Sequence, residues 1–71
     1  MDPIRAQLAH NIRSRRDEAG LSQERLADLC GLDRTEISLL ERGERSPRVD
    51  TLVQLARGLK LRPGDLLDGV E

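Results

Sequence analysis

The chain has no phenylalanine, tyrosine or tryptophan, and only one cysteine, one methionine and one histidine in 71 residues. Each scarcity closes a route. Without aromatic rings there is no platform on which unpaired bases stack, which argues against a single-strand binder or an RNA-recognition sheet. A lone cysteine cannot form an internal disulfide and fits a reducing cytosol, so a cytoplasmic protein is expected. With only His10 and Cys30 to offer nitrogen or sulfur, no ligand set at metal spacing exists, and neither a metal nor another cofactor is expected. No apolar run approaches the roughly 18 residues of a membrane span, and the polar opening MDPIRAQL is no signal peptide. No nucleophile–base pair and no glycine-rich phosphate loop is present, so an enzyme is not expected. No effector segment follows the last helix, so no small-molecule ligand is expected either.

What remains for a core is Leu, Ile, Val and Ala. A chain this short buries only about 60% of the surface its unfolded form exposes, so the core is thin and a partner subunit would help it. No repeat, linker or low-complexity tract divides the sequence, and residues 1–71 read as one domain.

The stretch that organises the rest is SQERLADLCGLDRTEISLLERG, residues 22–43. Leu26 and Cys30 lie four apart, and Ile37 and Leu40 three apart, which are the spacings of one-sided helical stripes. Between them stands Gly31-Leu32-Asp33. Ala27, four before the glycine, lets two backbones approach, and Gly31 can take the left-handed conformation of a tight turn. This is the pattern of a helix-turn-helix.

The flanks read as helices too. Asp2 is a good N-cap and Pro3 suits the first helical position, so a first helix is expected over residues 3–19, with Ile4, Leu8 and Ile12 facing the core. Ser22 caps a second helix ending at Gly31. Asp33, with Glu36 three residues on, has the spacing of a capping box and starts a third, closed by Gly43. A fourth covers 49–59, with Leu52, Leu55, Ala56 and Leu59 on one face. Pro63 opens a short fifth, to about residue 68. The expected fold is all-α: a compact five-helix bundle around a central helix-turn-helix formed by helices two and three.

Several segments together, RSRR (13–16), GLSQERLA (20–27), CGLDRTEIS (30–38), LERG (40–43), Pro47 and TLVQLARGLKL (51–61), resemble the lambda-repressor-like, Cro/repressor-type helix-turn-helix family, also called XRE. The likeness covers nearly the whole chain, and LDRTEIS is similar to the same segment in restriction–modification controller proteins. The resemblance implies a sequence-specific double-stranded DNA-binding transcriptional regulator, of repressor or controller type, with the recognition helix (33–42) in the major groove. The leading residues of such a helix face base edges, here Arg34, Thr35, Ser38 and Leu39. Arg34 is suited to the O6/N7 fork of guanine, and Leu39, off the Ile37/Leu40 stripe, is expected to be exposed and able to meet a thymine methyl. Gln23 matches the family's phosphate-clamping glutamine, and Arg42, Arg45, Arg48 and Arg15 are candidate phosphate contacts, with Arg13 a further one. For Arg15 a merely solvated helix end is an equal reading. Arg16 and Glu41 resemble the family's structural ion pair between the first and third helices. Cys30 reads as a small buried group and His10 as a surface residue.

The family implies a homodimer on a pseudo-palindromic operator. Val53, Leu66, Leu67 and Val70 are the candidate dimer contacts, against the alternative that they only complete a monomer's core. The rival function is a protein-interaction module, such as an antitoxin or co-regulator, on the same fold. Its support is the formal net charge of -1, unusual for a DNA-binding domain, together with the expected exposure of Leu39. A basic face built from Arg13, Arg15, Arg16, Arg42, Arg45 and Arg48, with Asp65, Asp68 and Glu71 behind it, reconciles that charge with DNA.

Overall fold

The computed structural model describes residues 2–71. Helix α1 runs over Pro3–Glu18, α2 over Gln23–Cys30, α3 over Arg34–Glu41 and α4 over Val49–Leu59. A 3-10 segment, Pro63–Leu67, follows, and no strand occurs among the described residues. No described helix is long and apolar enough to cross a membrane.

The boundaries are set by local chemistry. Three side-chain oxygens satisfy amides that a helix start leaves unpaired. Asp2 Oδ1 accepts from the Ile4 amide at 2.9 Å, Ser22 Oγ from Arg25 at 3.0 Å and Asp33 Oδ1 from Thr35 at 2.8 Å. At the junction of α2 and α3, Gly31 takes a left-handed conformation, φ 69° and ψ 31°. That geometry lets the Leu32 amide donate back to the Ala27 carbonyl at 2.9 Å, which stops α2 and turns the chain into α3.

The core is a single aliphatic cluster. Ile12, Leu26, Ile37, Leu40, Leu55 and Leu66 have essentially no solvent contact, and Leu8, Ala27, Cys30 and Ala56 join them. α1 packs on α3 and on the 3-10 segment, α2 on α3 and α4, and α4 on the 3-10 segment. The side chain of Asn11 fastens the carboxy-terminal end to α1. Its Nδ2 donates to the Leu66 carbonyl at 2.9 Å and the Asp68 carbonyl at 2.7 Å, while Gln7 Nε2 donates to its Oδ1 at 2.9 Å.

Three expectations are corrected. Among the described residues the bundle has four α-helices, not five. Residues 63–67 form a 3-10 segment whose Asp65 amide donates to the Arg62 carbonyl three residues back, at 2.9 Å. Five residues that include Gly64 are too few to establish an α-helical ladder. Ile4, in the first turn of α1, is about half exposed, and Ala9 is instead buried with Leu8 and Ile12. The capping box is half formed: Asp33 caps, but Glu36 turns away to Arg45.

Candidate nucleic-acid interface

The apolar stripe of α3 decides which of its side chains can reach outward. Ile37 and Leu40 point into the core, and Glu41 is buried beside them. Arg34 and Thr35 are exposed and Ser38 is partly so. Together with Arg42 these three residues line one open depression on the solvent side of the helix. Leu39 differs from expectation: it is half-buried, so only part of its side chain is presented.

The carboxylate of Glu41 ties three helices together. Arg16 Nε on α1 donates to its Oε2 at 2.6 Å and Arg16 Nη2 to its Oε1 at 2.9 Å, a two-pronged geometry that only a guanidinium offers. Arg16 Nη1 donates further, to the Leu21 carbonyl at 2.8 Å, holding the turn between α1 and α2. The hydrogen bond to Glu41 pushes the Arg16 pKa above its ordinary value, against the opposing effect of burial. Arg13 lies at the margin, its Nε 3.8 Å from Glu41 Oε1.

Gln23 joins the same carboxylate. Its Nε2 donates to Glu41 Oε1 at 3.2 Å. An amide nitrogen carries two hydrogens, so this bond fixes the side chain and leaves the second N–H for another acceptor. Gln23 is also the first residue of α2, where the free amides of a helix start favour an anion.

The other arginines are placed less simply than a basic face requires. Arg42 pairs with Glu44 at 3.2 Å, Arg45 with Glu36, and Arg48 with Asp50 at 3.4 Å. Arg15 lines a separate groove with Glu18, Asp65 and Asp68, whereas Arg13 shares a depression with Glu41 and Arg42. The row of cations is therefore largely neutralised by its own neighbours, and the acidic carboxy-terminal residues sit beside α1.

Of the candidate dimer residues, Leu66 is corrected. It is fully buried in the core and has no surface to give a partner. Val53 and Val70 are partly exposed and Leu67 is 42% exposed. Val49, one turn before Val53 on α4, is not among those candidates and is 80% exposed.

Residues 12–66 match the helix-turn-helix family. The chain belongs to it. The Control protein C.SmaI of Serratia marcescens is 45% identical over 64 residues, covering 90% of this chain and 76% of that protein. The Control protein C.BamHI of Bacillus amyloliquefaciens is 39% identical over 66 residues, 92% of this chain and 82% of that one. Among solved structures, the restriction-modification controller protein C.AhdI from Aeromonas hydrophila superposes with a TM-score of 0.85 at 37% identity, over 87% of this chain and 94% of that one. Membership makes this chain a DNA-binding transcriptional regulator of the Cro/repressor type. In such a helix-turn-helix regulator α3 is the recognition helix.

Proposed function

We propose that this regulator acts as a homodimer on a pseudo-palindromic operator, with α3 of each protomer in the major groove. The observation that carries the reading is the side on which α3 turns its polar residues. Arg34, Thr35 and Ser38 share an open depression with Arg42, while the opposite side of the helix is locked to α1 and α2 through Ile37, Leu40 and Glu41. Arg34 at the helix start is placed to fork onto guanine, and Thr35 and Ser38 to bond neighbouring base edges. Gln23, preset by Glu41, clamps a phosphate. Arg42, Arg45, Arg48 and Arg13 serve the flanking backbone, and Arg15 is set apart from them. That the similar proteins are controllers supports a controller role for this chain.

Two protomers joined near α4 and the 3-10 segment present their recognition helices about 34 Å apart, one turn of duplex. Val49, Val53, Leu67 and Val70 are apolar side chains with surface to offer that contact.

The test is selection of bound duplexes from a random pool, followed by gel shifts with Arg34→Ala. Loss of discrimination at one base pair, worth about 1–3 kcal/mol, supports the guanine contact. A uniform loss across sequences reduces Arg34 to a phosphate contact. Sedimentation at micromolar concentration showing monomer alone, with and without operator, ends the dimer reading.

A further inference from the structure

The arginines around α3 fall into two classes. Arg42, Arg45 and Arg48, which flank the recognition helix, each have a carboxylate partner in Glu44, Glu36 and Asp50. Among the described residues Arg34, at the start of the helix, forms no ion pair. The side chains directed at the backbone are therefore engaged before DNA arrives, and the side chain directed at the bases is free.

We propose that Glu36, Glu44 and Asp50 act as an internal brake on sequence-independent DNA binding. This rests on the DNA-binding reading given above. The attraction of a protein to any duplex comes almost wholly from cations meeting phosphates and displacing counterions. An arginine that already holds a carboxylate must exchange one anion for another, and the released carboxylate is left facing the polyanion. The non-specific term is thereby weakened, while Arg34 reaches its base edge with nothing to give up. Three of the chain's thirteen acidic residues are thus set against its own phosphate-binding groups.

The three pairs are not equivalent. The Glu36 side chain is the least exposed of the carboxylates, at 20%, and lies on the recognition helix itself, so Arg45 is the most firmly held. Glu44 and Asp50 stand in solvent, where a pair is weak and screened. The effect of removing each carboxylate should follow that order.

The experiment measures affinity for a random-sequence duplex across a salt series, by fluorescence anisotropy of labelled DNA. Glu36→Gln should tighten binding about two- to fivefold at low salt, the equivalent of one ion pair. It should also steepen the dependence of log K on log salt by up to about 0.9, as one more phosphate contact forms. In an Arg45→Gln background the same substitution should leave the slope unchanged, which separates release of Arg45 from a general change in charge. Glu44→Gln, in an exposed turn, repeats the test through Arg42 with a smaller gain and with no helix to disturb. Equal slopes for wild type, Glu36→Gln and Glu44→Gln, or a steepening that persists without Arg45, overturn the brake while leaving DNA binding intact. Failure of the wild type and every variant to bind any duplex in dilute buffer removes the DNA-binding reading itself, and the brake with it.

Discussion

Arg16 with Glu41 and Arg48 with Asp50 bring together the same two functional groups, one pair inside the fold and the other on its rim. Glu41 is 1% exposed and Asp50 65%. Inside, the carboxylate has three donors from two other helices, and water cannot replace any of them. On the rim, each ion has solvent as a ready substitute. The buried pair is therefore architecture: removing one partner strands the other without hydration. The exposed pair is exchangeable, and an arginine that can change partners is the kind a phosphate can recruit. Burial, more than distance, separates a charge that holds the recognition helix from a charge free to change partners.

The contrast is tested most severely at Glu41. Glu41→Ala should lose about 3–5 kcal/mol of stability, lowering the melting midpoint of so small a domain by at least about 12 °C. An unchanged midpoint by circular dichroism would dissolve the distinction between the two pairs. The apolar side of the same framework provides the next test. A methyl group at Gly58 on α4 would overlap Cys30 Sγ and press on the α2 backbone. Gly58→Ala should therefore destabilise by about 1–3 kcal/mol, and Cys30→Ala should recover part of the loss in the double variant, as read from urea midpoints. A smaller effect is expected from the thiol itself. Burial pushes Cys30 up to about 11 from its ordinary 9.0, so the folded chain keeps a proton that the unfolded chain loses between those values. Stability should decline as pH rises through that window, and decline less steeply in Cys30→Ala. The smallest effect is expected at the rim: Asp50→Asn should move stability by no more than about 0.5 kcal/mol. A larger cost would mean that the rim pair also holds the fold.

Much of this was legible because it is local. Asp2, Ser22 and Asp33 announce helix starts within two or three residues of the amides they cap, and Gly31 ends α2 through its own backbone. The stripe of Leu26, Cys30, Ile37 and Leu40 requires only helical periodicity. What was misread depends on contacts distant in sequence. Pro63 followed by Leu66 and Leu67 looks like a helix start, but whether so short a segment becomes α-helical is decided by what it docks against, and Asn11, 55 residues before Leu66, takes its carbonyl. Glu36 has the spacing for a capping box, yet Arg45 reaches it across the turn at Gly43, which periodicity does not see. Leu66 was open to either a core or an interface role, and its full burial assigns it to the core. The Arg16–Glu41 contact came into view through family likeness: one arginine in a run of charges carries no sign of its partner 25 residues away.

The Gly31 turn has an evolutionary corollary. The angle between α2 and α3 is set by a residue without a side chain, by the Asp33 cap and by groups on the inner side of α3. None of these is Arg34, Thr35 or Ser38. New combinations at those three outward positions can therefore arise without disturbing the hinge that presents them. With those positions as the proposed base readers, a lineage of such proteins can change its recognition sites while inheriting an unaltered scaffold.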